Sequence, residues 1–339
     1  MKLIPLTIGT EEIIKSDIKA ISMKDNTMNF EIIEIDKGVI KTKVLRGGII
    51  RGGKGCNLSN IYDDKAFLSE KDKENILWAL DNDVDIICQS FVERKEDINI
   101  INKLIKEKYP DFEVHASTQM TIHNGEGAVY FTEKGFKRVV LSRELSLEEI
   151  EYISKDLGIE TEIFVHGALC VSYSGQCLMS SMIGGRSGNR GRCAQSCRLP
   201  YTLIREKDKK EIKGFLLSPK DICTIENVED LIKTGTSSLK VEGRMKRPEY
   251  VAGVIESYRE AIDNSYRNIK KSQEGNKLKL KKLFNREGFS TAYMYKNVGK
   301  DMMAFKTPRN TGVLLGEVLK NGEVLLLDDL SLKDGIRTN

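Results

Sequence analysis

Four cysteines in a glycine-rich stretch are the residues of this chain best suited to chemistry. Cys170, Cys177, Cys193 and Cys197 follow the spacing C-x6-C-x15-C-x3-C, and several glycines lie between them. Four thiolates from one such loop can close around a tetrahedral zinc ion or an iron–sulfur cubane, because the glycines let the backbone wrap inward. The spacing alone does not choose the metal, and buried structural cysteines are the alternative without one.

The clustering of the cysteines indicates a reducing compartment. The chain has seven cysteines, and five of them lie between residues 170 and 223, a clustering that favours metal over disulfides in the cytosol. No basic start precedes an apolar run, and no stretch of eighteen apolar residues occurs. Lysine and arginine total 54 against 50 acidic residues, for a net charge of +4. We therefore expect a cytoplasmic protein with no membrane segment and only local basic patches.

Strands and helices alternate through the middle of the chain. Strand-like runs are predicted at residues 84–91, 113–117, 138–142, 162–169 and 238–241. Helix-like runs are predicted from Ser69, a plausible N-cap, and at residues 96–108, 147–156, 228–234 and 248–264. This rhythm predicts an α/β fold with a parallel sheet, and about five strands make a partial TIM-like (β/α) barrel rather than a closed one of eight.

The ends of the chain differ from its middle. Short apolar or alternating runs bounded by glycine turns predict a small β module at residues 1–62. The barrel-like domain is expected at residues 63–268, and a charged, lysine-rich helical or linker segment at residues 269–287. A second small β domain is expected at residues 288–339, where the chain is expected to stop before that domain is complete.

Other polar residues are candidates for the site. His166 lies four residues before Cys170 on a predicted strand, where it is either a catalytic base or a hydrogen-bonded buried histidine. His115 and Gln119 lie where a strand ends, and they line a pocket or cap a helix. Glu242 and Arg244 precede a helix start that suits a phosphate or carboxylate partner, with solvated charge as the alternative.

Several motifs in the second part of the chain resemble the peptidase U32 family. They are residues 115–119, 138–146, 164–198, 217–221 and 239–246, and the similarity covers about residues 109–339. The family is named for collagenase-like proteases, but better-understood relatives are iron–sulfur proteins that hydroxylate RNA bases or a quinone precursor without oxygen. The resemblance implies that Cys170, Cys177, Cys193 and Cys197 hold a [4Fe–4S] cluster, with Cys223 as a reserve ligand.

Residues 28–104 resemble a different protein, pyruvate kinase. The motifs are residues 47–58, 68–74 and 84–92, and they match the end of its lid domain and one barrel strand and helix. The chain is thus a mosaic of two barrel proteins joined near residues 108–110. The motifs for the metal ligands and charge clamp of pyruvate kinase are absent, so we expect no phosphoryl transfer.

The sequence therefore favours an iron–sulfur protein related to oxygen-independent hydroxylation of tRNA or 23S rRNA. Arg190 and Arg244, in two basic segments, are expected to contact the phosphates of RNA. The first alternative is a U32-type peptidase with Cys170 or another thiol as nucleophile. Further alternatives are a zinc-stabilised binding module and a non-enzymatic module derived from pyruvate kinase. A barrel short of three strands has open edges, which the β module covers, a partner chain covers, or nothing covers.

Overall fold

A computed structural model of the protein describes most of the chain. The described residues are 18–23, 28–50, 56–58, 68–90, 92, 94–184, 186–243, 246–296, 299–330 and 335–336. The chain divides into two compact units. The first unit comprises residues 1–121, 135–137 and 172–196, and the second comprises residues 122–134, 138–171 and 197–339.

Helices and strands alternate through the middle of the chain, as predicted. The helices are α1 (Glu70–Asp81), α2 (Lys95–Lys106), α3 (Gly125–Glu133), α4 (Leu147–Glu151), α5 (Met179–Gly184), α6 (Val228–Lys233), α7 (Pro248–Tyr266) and α8 (Glu274–Leu283). The strands are β1 (Ala20–Met23), β2 (Met28–Asp36), β3 (Val39–Arg46), β4 (Cys56–Leu58), β5 (His115–Ala116), β6 (Arg138–Val140), β7 (Thr161–Ala168), β8 (Tyr201–Ile204), β9 (Glu211–Gly214), β10 (Asp221–Cys223), β11 (Ser238–Val241), β12 (Phe289–Ser290), β13 (Gly316–Val318) and β14 (Val324–Leu326).

A small antiparallel sheet opens the first unit, in the strand order β3-β2-β1-β4. Lys37 and Gly38 join β2 to β3 with positive φ angles of 44° and 79°, which a tight hairpin turn requires. Met28 and Phe30 alternate along β2 and are buried, as a strand with one covered face demands. The predicted N-terminal β module is therefore confirmed.

Helices α1 and α2 pack together next in the first unit. Ser69 caps α1, since its hydroxyl accepts from the backbone N–H of Asp72, whose carboxylate in turn accepts from the backbone N–H of Ser69. Leu80 of α1 and Ile105 of α2 lie in one apolar cluster. The strand predicted at residues 84–91 is wrong over residues 84–90, which form no strand, and Phe91 lies outside the described residues. Ile86 there is 70% exposed, so its apolar run buries little.

The sheet of the second unit is built around β7. Strands β6 and β11 pair with β7 in parallel, β10 pairs with it antiparallel, and β12 pairs with β10. The antiparallel β10 was not predicted from the strand-and-helix rhythm. It arises because the cysteine loop and the β8–β9 hairpin connect β7 to β10, where a helical crossover would enforce parallel pairing.

Helices α6, α7 and α8 pack within this unit. A Cβ on Gly253 of α7 would lie 2.6 Å from Leu283 Cδ1 of α8, so the two helices are in close contact there. Helix α8 lies inside the segment predicted as a charged helical or linker stretch, and its Leu280 is fully buried. Toward the C-terminus, β13 and β14 form a short hairpin.

The strands that the structure describes form no closed barrel, so the predicted partial α/β barrel is confirmed. Among the described helices none is long and apolar enough to cross a membrane. A partner chain on the open sheet edges and the predicted domain boundaries stay predictions.

Candidate functional site

Several polar side chains of the second unit lie at the C-terminal end of strand β7. Gly167 has a φ of +109°, and a Cβ there would lie 2.3 Å from the carbonyl oxygen of Glu242, so only glycine fits. The Glu242 backbone N–H donates to the carbonyl oxygen of His166 at 2.8 Å. This close backbone approach fixes Glu242, a predicted substrate-binding residue, beside the end of β7.

Arg143 lies at the same strand end, and sequence reasoning did not single it out. Its Nη1 donates to the Ala168 carbonyl oxygen at 3.0 Å, and its Nη2 lies 3.5 Å from a carboxylate oxygen of Glu242. The guanidinium stacks on the Phe164 ring, with 3.9 Å between Cζ and the ring centroid. A partly buried cation is therefore held against Ala168, two residues before Cys170 in the chain.

Two of the predicted cysteine ligands belong to the second unit and share a neighbour. The guanidinium of Arg198, which follows Cys197, donates to the Leu169 carbonyl oxygen at 2.8 Å, just before Cys170. It also donates to Ser218 Oγ at 2.7 Å. Burial and then the charge of Arg286 lower the pKa of Arg198, whereas Cys197 and Cys170 oppose that shift. Both thiols thus lie within electrostatic range of one cation.

The other two cysteines belong to the first unit. A Cβ built on Gly188 would lie 3.6 Å from the Cys177 carbonyl oxygen and 3.7 Å from Cys193 Cβ, so both residues flank this glycine. The backbone N–H of Gln195 donates to Cys193 Sγ at 3.3 Å. Gln195 has a φ of 55°, an uncommon conformation for a residue other than glycine. Backbone N–H groups directed at sulfur are typical of cluster sites.

Gln119 lies against the same loop of the first unit. Its Nε2 donates to the Gly188 carbonyl oxygen at 3.4 Å. A Cβ on Gly175, whose φ is +77°, would lie 2.3 Å from Thr121 Oγ1 and 2.9 Å from the Gln119 carbonyl oxygen. The turn of residues 117–121 therefore packs directly on the segment that carries Cys177. His115, by contrast, is near Glu113, with 3.6 Å between Nε2 and the carboxylate.

His166 is buried, but it is not hydrogen-bonded as expected of a core histidine. Its side chain is 0% exposed, and neither ring nitrogen has a hydrogen-bond partner among the described residues. The rings of Tyr250, Tyr258 and Phe289 surround it at centroid distances of 5.9, 5.7 and 5.5 Å. Burial, and secondarily the charge of Lys246, lower its pKa to about 3. With so low a pKa the ring is a weak base, and it makes no hydrogen bond to Cys170.

Cys223, the reserve ligand, lies opposite His166 in the β7–β10 pairing. It is 7% exposed, and the Tyr258 hydroxyl donates to its sulfur at 3.9 Å. Burial raises the pKa of this thiol to about 11, which disfavours the thiolate that a metal needs. These surroundings are those of a structural cysteine.

The sequence did not indicate a cluster of charged residues near the aromatic rings that surround His166. Asp221 and Arg286 form a buried ion pair, and burial lowers the pKa of nearby Lys246 to about 8. The motif of residues 217–221 was the only signal that could have drawn attention to Asp221. Arg190 is exposed on a short turn of the first unit, and Arg244 lies outside the described residues.

The four predicted ligands have the chemistry that an iron–sulfur cluster needs. None of the seven cysteines is in a disulfide, and the four predicted ligands are partly or largely exposed. Across the described residues, however, no three histidine, cysteine, aspartate or glutamate side chains are grouped as metal ligands are. Two of the four thiols belong to each unit, and their role as ligands stays a prediction.

Two family models match the chain. That of peptidase family U32 matches residues 96–304, and that of the pyruvate kinase barrel domain matches residues 8–133. Both predicted resemblances are thereby confirmed, and the matches overlap around the predicted junction at residues 108–110.

Curated relatives carry two kinds of name. The chain is 43% identical over 161 residues to a tRNA hydroxylation protein of Bacillus subtilis (45% of this chain, 38% of the relative). It is 37% identical over 240 residues to a 23S rRNA 5-hydroxycytidine synthase of Escherichia coli (67% and 36%). An uncharacterised protease of Methanocaldococcus jannaschii is 33% identical over 298 residues (84% and 68%). The chain thus spans little more than a third of the first two.

Proposed function

Because the chain belongs to peptidase family U32, whose model matches residues 96–304, we propose that it is an iron–sulfur protein acting in oxygen-independent hydroxylation of an RNA base. The relatives named for tRNA and 23S rRNA hydroxylation support this activity. The observation that carries the proposal is the set of four cysteines in and around the Gly-rich loop of the matched region, none of which is in a disulfide. A protein with such thiols and an RNA substrate belongs in the cytoplasm.

The proposed ligands of a [4Fe–4S] cluster are Cys170 and Cys197 of the second unit and Cys177 and Cys193 of the first. Such a cluster, when bound, would transfer electrons or polarise the substrate. Arg143 and Arg198 are suited to offset the negative charge of thiolates, since both are partly buried cations within electrostatic range of Cys170. The backbone N–H of Gln195 adds a donor to Cys193.

The remaining side chains have roles in binding. Arg190 is exposed and suited to a phosphate of the RNA, and Arg244 keeps that role as a prediction. Glu242 is held at the end of β7, where its carboxylate is positioned by Arg143 to accept a hydrogen bond from a base. Gln119 and His115 keep their predicted catalytic roles as part of this proposal.

A peptidase has less support from the same geometry. A cysteine nucleophile needs an adjacent base, and His166 is fully buried, hydrogen-bonded to no sulfur and only weakly basic, because burial lowers its pKa to about 3. The protease names of some relatives keep this activity as an outcome to be tested. A zinc-stabilised binding module is the other outcome.

Anaerobic purification distinguishes the iron–sulfur protein, the peptidase and the zinc-stabilised binding module. A brown protein with about four irons per chain supports the proposal. A colourless protein that cleaves collagen peptides supports the peptidase, and a colourless protein loaded with zinc supports the binding module. Substitution of both Cys193 and Cys197 by alanine is expected to abolish the colour, whereas Cys223→Ala, the matched control, is expected to keep it. Retained iron in the double variant would refute the ligand set.

The substrate is tested by mass spectrometry of RNA. A strain that lacks the gene is expected to lose one hydroxyl group from one base of tRNA or 23S rRNA. Complementation with the wild-type chain is expected to restore it, and complementation with the Cys193 and Cys197 double variant is not. Unchanged RNA in the deletion strain would contradict the proposed function.

A further inference from the structure

We propose that residues 172–196 of the first unit form a surface for single-stranded RNA, on which one base stacks against Tyr173 while Arg190 and Arg192 contact neighbouring phosphates. The inference rests on the proposed function, because it takes RNA as the partner. It goes further in naming the form of RNA that binds and the residues that hold it. This surface is called the loop surface below.

The charge of the loop surface is the first observation. The chain as a whole is nearly balanced, with 54 basic and 50 acidic residues. Residues 172–196 contain three arginines and no aspartate or glutamate. Arg190 and Arg192 are both exposed. A segment of one sign in an otherwise balanced chain attracts a polyanion locally, and single-stranded RNA is one.

The second observation is an exposed aromatic ring in the same segment, where Gly175 packs on Gln119 and Gln119 donates to Gly188, two residues before Arg190. Tyr173 is 64% exposed, four residues before Cys177. Met182 of α5 is 84% exposed and extends the apolar part of the surface. An exposed ring among cations is the combination that proteins use for unpaired nucleotides, since every base offers a flat face for stacking.

The loop surface is held in place by its own hydrogen bonds. Ser180 Oγ accepts from the backbone N–H of Ala194 at 2.8 Å, across fourteen residues. Arg186 Nε donates to the Arg192 carbonyl oxygen at 2.9 Å, which holds the backbone at Arg192 in place. Gly175 packs on the turn at Gln119. A surface ordered before binding loses less entropy when RNA arrives.

The position of the surface suits a reaction on the bound nucleotide. Cys177 and Cys193 both flank Gly188 within the same segment, and Cys193 directly follows Arg192. A base on Tyr173 with phosphates on Arg190 and Arg192 is therefore bound next to two of the proposed ligands. A duplex is a poor fit, because its bases are stacked on each other and cannot reach the ring.

An anionic membrane is the other partner that such a mixture of charge and apolar exposure could suit. Helix α5 has only six residues, Met179–Gly184, whereas interfacial helices that bind lipid bury a long apolar face. RNA is therefore favoured, and vesicles become an arm of the test.

The test measures binding without any reaction. Fluorescence anisotropy of the full chain is recorded with a labelled ten-nucleotide single strand, with its duplex, and with vesicles of phosphatidylglycerol. The single strand is expected to bind more tightly than the duplex and Tyr173→Ala to weaken it about tenfold, whereas Tyr173→Phe, which keeps the ring, stays near wild type. Replacing both Arg190 and Arg192 by glutamine is expected to reduce the salt slope of binding by about 1.4.

Tyr266→Ala is the matched control, because Tyr266 is an equally exposed tyrosine at the end of α7 in the second unit. It is expected to bind the single strand as wild type does. Equal binding of duplex, an unchanged Tyr173→Ala variant, an equal loss in Tyr266→Ala, or a preference for vesicles each overturns the inference. Binding that depends on Tyr173 in a chain that lacks iron and hydroxylation would uphold the surface and count against the proposed function alone.

Discussion

Arg198 and Leu169 are joined by a hydrogen bond of 2.8 Å from the guanidinium Nη2 to the carbonyl oxygen. Leu169 directly precedes Cys170, and Arg198 directly follows Cys197. The same guanidinium donates to Ser218 Oγ at 2.7 Å and to the Pro219 carbonyl oxygen. One planar cation thereby ties the two cysteine segments of the second unit to the loop before β10, a geometry that lysine cannot reproduce.

We predict that Arg198→Lys and Arg198→Met both lower the iron content and destabilise the protein. Each leaves buried carbonyl oxygens without a donor, at a cost of about 2–4 kcal/mol in the free energy of unfolding. Urea unfolding and iron analysis after desalting measure the two effects. Arg309→Met, at an exposed arginine of the same unit, is the control and is expected to change neither. Iron retained in full by Arg198→Met would show that the guanidinium does not position the cysteines.

Gly175→Ala is predicted to disrupt the first-unit half of the site. The residue has a φ of +77°, and the new methyl group would lie 2.3 Å from Thr121 Oγ1. Strain and overlap together are expected to cost about 2–4 kcal/mol and to loosen the loop that holds Cys177. Limited proteolysis between residues 172 and 196 measures the loosening.

Gly135→Ala separates the effect of backbone strain from the effect of steric overlap. Gly135 also belongs to the first unit and has a φ of +90°, but a Cβ there meets no atom within 4 Å. Only the backbone strain remains, about 1 kcal/mol, so proteolysis of the cysteine loop is expected to stay at the wild-type rate. Equal proteolysis in both variants would mean that contact with Thr121 is unimportant.

Features set by local chemistry were predictable from the sequence. The N-cap Ser69 occurs where it was predicted, because a cap depends on neighbouring residues alone. The cysteine loop was predicted for the same reason. Strand β11 at Ser238–Val241 also occurs where it was predicted, and it pairs with β7. The strand expected at residues 84–90 failed, since a strand needs a partner and those residues pair with none in the described chain.

Features set by distant contacts could not be predicted. The acceptors of Arg198 lie 20 to 29 residues away in sequence, and no spacing rule connects them. The antiparallel direction of β10 depends on the loop that precedes it. His166 was identified as a histidine of interest, but its lack of hydrogen bonds follows from the tyrosines of α7, which are more than eighty residues further along the chain.

Thiol labelling distinguishes the proposed ligands from Cys223. Cys193 is exposed and is expected to react with iodoacetamide in the iron-free native protein, whereas Cys223 is buried with its pKa raised to about 11. Mass spectrometry of tryptic peptides at pH 8 measures both. Cys223 is expected to become labelled only in urea, and labelling of Cys223 as fast as Cys193 in the native state would contradict its structural role.

His166 is predicted to make the stability of the second unit depend on pH. Its pKa is about 3 in the folded protein because burial disfavours the charged ring, compared with about 6.5 in an unfolded chain. Between those values the unfolded chain binds more protons, so stability is fully present above pH 6.5 and decreases as the pH falls toward 3. At pH 5 the expected loss relative to pH 7 is about 2 kcal/mol.

His166→Phe removes this proton linkage while it keeps a ring among Tyr250, Tyr258 and Phe289. The difference in unfolding free energy between pH 7 and pH 5, measured with urea on the iron-free protein, is therefore expected to shrink by about 2 kcal/mol. His123→Gln, at an exposed histidine of the same unit, is expected to leave that difference unchanged. If the two variants show the same pH dependence, the imidazole of His166 is not excluded from water, and the argument against its service as a general base in peptide hydrolysis is lost.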